Sequence, residues 1–181
     1  MARFNVPTRN QVSETNQAVF DNLQKNLGFV PNLYAYYAKN DTALQDYLGF
    51  QGRKTTLKAK EKEVVNLVVS QFNGCRYCQS AHTVLGKMNG FSDDQILDLR
   101  TGEAPFDDKL NALAQFTLSV VENKGKATQD AIDNLFEAGY DESNLIDIVF
   151  AIGDKTISNY IHNIADFAID FPLAPELELA H

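Results

Sequence analysis

The sequence predicts an all-α fold, and three observations carry that prediction. Apolar residues recur at three- and four-residue steps in most segments. Glycine, Asn-Gly and proline stop signals interrupt them at helix-length intervals. No strand–turn–strand pattern stands out. About eight helices joined by short turns are expected, in a single domain over residues 1–181. Residues 1–10 read as a loose arm and residues 172–181 as a loose, extended and exposed tail.

Ser13 and Glu14, with Val12, Ala18, Val19 and Leu23, open a first helix that ends before Gly28. A short helix from about Pro31 to Lys39 carries Leu33, Tyr34, Tyr36 and Tyr37, tyrosines suited to a core or a subunit contact. Asp41 suits the N-cap of a third helix with Leu44, Tyr47 and Leu48, stopping around Gly52. From Lys58 to Phe72 the valines alone would permit a strand. Fifteen residues without a breaker, behind a charged first turn, favour a helix buried toward its end. Asn73-Gly74 stops it, and a helix from about Cys75 to Met88 follows. Ser92 and Gln95 form a capping-box pattern for a short helix to Leu99. Asp107 or Asp108 starts a longer one, with Leu110, Leu113, Phe116, Thr117, Val120 and Val121 on one side, broken at Gly125. Thr128 caps another that ends at Gly139. Asp141 leads a last long segment through Leu145, Ile152, Ile161 and Phe167, stopping before Pro172.

The hydrophobic content of 44% and charged content of 22% are ordinary for a folded domain. A chain of 181 residues can bury a core without disulfide staples. The net charge is −8, from 24 acidic and 16 basic residues, and the pI is near 4.8. That balance argues against nucleic acid and anionic membrane surfaces as partners. The densest apolar run, Leu145 to Ile152, is too short to span a membrane and contains Asp147. The first residues, MARFNVPTRN, lack the apolar core of a secretory signal, so a cytoplasmic protein is expected. In a reducing compartment a lone Cys-x-x-Cys points to catalysis or metal binding rather than a staple.

Both cysteines and one of the three histidines fall within Asn73 to His82, as Cys75-x-x-Cys78-x-x-x-His82. At about 100° per residue a helix there would place all three side chains within roughly 60° of arc. The N-terminal end of such a helix favours a thiolate. In an antiparallel hairpin, Glu63 stands about 15 Å up the preceding helix and His82 about 11 Å up its own. The carboxylate then reaches the imidazole directly or through one water. Glu63 would orient His82, His82 would draw the proton of Cys78, and Cys75 would resolve an oxidised Cys78 as a disulfide. Two other readings of these residues stand beside this one. The same four side chains could hold zinc, although three ligands from one and a half helical turns leave awkward angles. Two thiols could also be inert neighbours in a core.

These residues also carry a family resemblance. Glu63, eleven residues, Cys75-Arg76-Tyr77-Cys78, three residues and His82 resemble the signature of the alkylhydroperoxidase D-like (AhpD-like) family, in the carboxymuconolactone decarboxylase-like superfamily. Gly28-Phe29-Val30-Pro31-Asn32-Leu33 resembles the lead-in common among its peroxidase-related members. The resemblance spans much of residues 28–90. It implies an all-α fold and a thiol-dependent peroxidase, with a hydroperoxide as substrate and an external dithiol or redox protein as electron donor. Cys78 would attack the peroxide, Cys75 would serve as proton donor and disulfide partner, and Glu63 and His82 would form the proton relay. No bound cofactor or metal is implied. Relatives commonly form trimers or hexamers, so a homo-oligomer is expected. One departure is Tyr77, which stands where the best-studied type carries a second histidine; a phenol does not shuttle protons at neutral pH as imidazole does. The alternatives are a thiol–disulfide oxidoreductase acting on another molecule's disulfide, and a non-catalytic zinc-binding helical module. The decarboxylase branch lacks the cysteine pair.

Outside this constellation, Asn159, His162, Asn163 and Asp166 share a face of the last long helix. They are expected to form a solvated or intersubunit stripe, or one that reaches the site. Asp154-Lys155 reads as exposed or as an interface ion pair. Arg76 either lowers a thiolate pKa or points to water, and His181 is terminal.

Overall fold

A computed structural model describes residues 3–177; His181 lies outside the described residues. Among the described residues there are nine α-helices, one 3₁₀ turn and no strand, so the all-α expectation holds with one helix more than anticipated. The described residues divide into two compact units, residues 3–54 with 161–170 and residues 55–160 with 171–177.

The first unit holds α1 (Glu14–Leu27), α2 (Asn32–Tyr37), α3 (Ala43–Gln51) and the last turn of the final helix. Ser13 Oγ accepts the Asn16 N–H at 3.4 Å, and Gly28 ends α1 in the left-handed region at φ 84°. Asp41 does not cap α3. Asn40 Oδ1 accepts the N–H groups of Thr42 and Ala43 instead, at 3.0 and 3.1 Å, because an Asx side chain reaches backbone two and three residues on. Buried Asn16 donates to Ala38 O and Asn40 O, both at 3.1 Å, which ties α1 to the α2–α3 connection. Tyr37 meets Tyr47 edge-on at 4.6 Å, so that part of the tyrosine patch is core. The expected loose arm is fastened at its described start. Arg3 and Phe4 N–H donate to Asp166 O and Ala165 O, each at 3.1 Å.

The second unit holds α4 (Ala59–Phe72), α5 (Arg76–Met88), α6 (Asp93–Thr101), α7 (Asp108–Glu122), α8 (Gln129–Glu137) and α9 (Glu142–Ala165) as far as Tyr160. α4 lies at its centre and packs on α5, α6 and α7, and α8 packs on α7. Val64, Val65, Leu67, Leu99, Leu113, Leu135 and Ile148 are shut from solvent in one core. Burying each such side chain contributes about 1.5–3 kcal/mol. That outweighs the few tenths of a kcal/mol by which valine disfavours a helix, so the valine-rich stretch is helical. Ser92, Asp107 and Thr128 cap α6, α7 and α8 as their positions predicted. α9 stops at Ala165, well before Pro172, where Asp166 turns to φ 46°. Residues 171–177 have no regular structure, as expected of a tail, but Ala174 is buried and its N–H donates to Ser80 Oγ of α5 at 3.1 Å.

Candidate active site

The α4–α5 hairpin builds the site. Asn73 ends α4, Gly74 turns at φ 62°, and the Cys75 N–H donates to Ser70 O at 3.0 Å. Only a residue tolerant of the left-handed region reverses the chain this tightly. Cys75 becomes the N-cap of α5, and its Sγ accepts the Cys78 N–H at 3.4 Å. Cys75 and Cys78 are free thiols, 0% and 1% exposed.

On the facing helix, Glu63 Oε2 lies 2.8 Å from His82 Nδ1, and Asn66 Nδ2 donates to Glu63 Oε1 at 3.2 Å. The hairpin register thus makes the direct carboxylate–imidazole contact that helix lengths allowed. Glu63 and His82 are both buried. Burial pushes the Glu63 carboxyl up, but the charge and hydrogen bond of His82, helped by Lys155 and Asn66, hold it below the usual carboxylate range.

The two sulfurs do not titrate alike. A hydrogen bond from the Cys75 thiol lowers Cys78 to about 5 against the opposing effect of burial. The positive charges of Lys155 and His82 and a hydrogen bond from Asn159 act the same way. The hydrogen bond to Cys78 and burial push Cys75 up, so it keeps its proton. The Cys78 N–H aimed at Cys75 Sγ favours charge on Cys75, but that bond is long and is outweighed.

α9 supplies a third wall, of which the sequence reading offered only Asn159, as part of a stripe that could reach the site. Ser158 Oγ lies 3.9 Å from Cys78 Sγ. Asn159 accepts from Asn73 Nδ2 at 3.0 Å and donates to Ser70 Oγ at 3.4 Å, which braces the turn before Cys75. Lys155 precedes these by three and four residues and so shares their face. It is 4% exposed, which corrects the expectation of an exposed or interface lysine. Its neighbour Asp154 is half-buried. The signal that could have found this wall was the i, i+3, i+4 set Lys155, Ser158 and Asn159 on one face of the last long helix.

The expected polar stripe divides. Asn159 and His162 are buried, while Asn163 and Asp166 are exposed. His162 belongs to the first unit, where its Nε2–H donates to Phe167 O at 3.1 Å and its ring meets Phe167 edge-on. Arg76 turns to the tail, donating to Pro175 O at 3.3 Å and pairing with Glu176 at 3.7 Å. Tyr77 is buried with Phe171 against its ring at 5.5 Å, edge to face. Among the described residues no cluster of three or more His, Cys, Asp and Glu side chains is arranged to hold a metal ion. Nor is any described helix long and apolar enough to cross a membrane.

Residues 38–118 match the carboxymuconolactone decarboxylase family model. The chain is similar in structure to an AhpD-core, peroxidase-related protein from Ralstonia eutropha JMP134, at 19% identity and a TM-score of 0.83, over 92% of that chain and 93% of this one. A peroxidase-related protein from Silicibacter sp. TM1040 matches at 21% identity and a TM-score of 0.81, over 91% of that chain and 92% of this one. The debrominase Bmp8 matches at 19% identity and a TM-score of 0.71, over 87% of each chain. At these identities the likeness speaks to the fold, which is AhpD-like. No curated protein sequence matches the chain.

Proposed function

We propose that this protein is a thiol-dependent peroxidase that cycles Cys75 and Cys78 between dithiol and disulfide. The observation that carries this reading is the asymmetric buried pair, with Cys78 lowered and Cys75 raised beside the Glu63–His82 contact. His82, oriented by Glu63, takes the Cys78 proton. The thiolate attacks one peroxide oxygen, the O–O bond breaks, and Cys78 becomes a sulfenic acid as the peroxide is reduced to an alcohol. Cys75 then attacks the sulfenic sulfur, the disulfide forms and water leaves. An external dithiol or redox protein restores the pair in a cytoplasmic setting.

The burial of both sulfurs supports a small substrate over a protein disulfide, which could not reach them without opening the hairpin. A second small-molecule reading comes from the fold neighbour described as a debrominase. The same dithiol could replace a carbon–bromine bond by carbon–hydrogen, releasing bromide and a proton as the disulfide forms.

A homo-oligomer belongs to the proposal. Ile146, Val149, Phe150, Ile157 and Tyr160 are exposed along α9, within about 100° of arc, a stripe that a second copy would cover.

The test is mass spectrometry of the peptide holding Cys75 and Cys78 before and after stoichiometric hydroperoxide, with turnover followed on an external dithiol. Loss of two hydrogens from the peptide, and turnover abolished by Cys78→Ser, are expected. A dithiol unchanged by hydroperoxide but oxidised by a brominated arene would favour the second reading. Oxidation only by a protein disulfide would replace both.

A further inference from the structure

The scheme above gives no chemical task to two buried cations of the second unit, Arg100, which is hydrogen-bonded to Gln71 and Pro175, and Lys155. A lysine so deeply buried is uncommon unless its charge is compensated. No hydrogen bond or ion pair of its side chain is found among the described residues. Its helical face is that of Ser158, whose Oγ lies 3.9 Å from Cys78 Sγ, and of Asn159, which braces Ser70 and Asn73. The compensating charge is therefore in the site. The positive charge of Lys155 acts on Glu63, Cys75 and Cys78.

We propose that Lys155 is a catalytic residue: its ammonium balances the Cys78 thiolate and then gives a proton to the oxygen that departs when the thiolate takes the other peroxide oxygen. This rests on the peroxide-reducing reading and deepens it. In the first step the Cys78 sulfur bonds to the terminal OH oxygen of a hydroperoxide and the O–O bond breaks. Sulfur loses two electrons and the departing alkoxide carries them away. The alkoxide takes a proton from Lys155 Nζ, leaving an alcohol, a sulfenic acid and a neutral amine that solvent reprotonates. An ammonium is a far stronger acid than an alcohol, so the transfer runs downhill.

The other protons are spoken for. That of Cys75 leaves in the water released when the disulfide closes. Glu63 Oε2 holds His82 Nδ1 at 2.8 Å, so that nitrogen is engaged by the carboxylate rather than by the departing oxygen. The three N–H bonds of Lys155 are free to follow the negative charge from sulfur to oxygen.

Two variants and two oxidants test this. Lys155→Met removes charge and proton; Lys155→Arg keeps the charge but does not release a proton. Single-turnover oxidation of Cys78 is measured with tert-butyl hydroperoxide, whose alkoxide must be protonated, and with peracetic acid, whose carboxylate need not be. The ratio of the two rates cancels any change in thiolate fraction. Both variants should lower that ratio by about 100-fold, the usual weight of a general acid. Lys155→Met, but not Lys155→Arg, should also raise the pH at which Cys78 becomes alkylated. A ratio within about threefold of wild type in Lys155→Arg overturns the proposal, and that variant carries the test alone if Lys155→Met does not fold. A wild-type protein that peracetic acid oxidises and no hydroperoxide does would sink the peroxidase reading, and this role with it.

Discussion

Replacing Glu63 by Gln probes the contact that makes the site more than a cysteine pair. The amide keeps the shape of the carboxylate, and Asn66 can still donate to its oxygen. What disappears is the negative charge 2.8 Å from His82 Nδ1, in a pair shut from solvent on both sides. A hydrogen bond to a charged group contributes about 1.5–3 kcal/mol and a neutral one about 1. The exchange should therefore cost about 0.5–2 kcal/mol at neutral pH, with Lys155 also losing a favourable neighbouring charge. For a domain of this size that is about 2–4 °C in melting temperature per kcal/mol. The sign with pH follows from the lowered carboxyl. Its contribution is present in full above the ordinary carboxylate range and is lost as pH falls through the depressed value in the folded state. Urea unfolding of wild type and Glu63→Gln at neutral pH, and again below the ordinary carboxylate range, checks both magnitude and sign. A stability difference that does not shrink on acidification would refute the assignment of Glu63 as a buried, ionised partner of His82.

Other outcomes follow from the same geometry. Cys78 should alkylate with a midpoint about 5, and Cys75 only once its partner is blocked; rate against pH with iodoacetamide reads this, and a midpoint in the ordinary thiol range near 8.5 would contradict it. Gly74→Ala should cost about 1–2 kcal/mol through its left-handed backbone alone, since nothing lies within 4 Å of the added Cβ. Gly102→Ala should cost more, because its Cβ would come 2.5 Å from Leu118 Cδ2 as well; paired thermal melts that rank them the other way would count against the close approach of Gly102 to Leu118. Ile157→Lys on the exposed stripe of α9 should lower the particle mass in light scattering while leaving the helical content unchanged; an unchanged mass would mean that this stripe is not what joins the copies.

Much of this molecule was legible in order along the chain. Helical periodicity and stop signals depend on residues within one or two turns, so Ser92, Asp107 and Thr128 were found as caps without tertiary information. The pairing of Glu63 with His82 was legible for the same reason, since a tight Asn73-Gly74 turn between two helices sets which turns face each other. Asp41 failed as a cap because Asn40, one residue earlier, has the same capability and better reach. The end of α9 was misplaced because apolar residues continue beyond Ala165, and periodicity alone does not register a single residue turning left-handed at Asp166.

An all-α chain with two thiols, an imidazole and a carboxylate on facing turns of a hairpin follows from the order of residues alone, because every one of those relations is local. What covers the hairpin depends on long-range packing. Lys155 lies 80 residues from Cys75, and its spacing with Ser158 and Asn159 marks a shared face without saying what that face meets. It becomes part of the site because α9 turns the face of Lys155, Ser158 and Asn159 toward the cysteines, where a low dielectric and scarce solvent let one ammonium act on both sulfurs and the carboxylate.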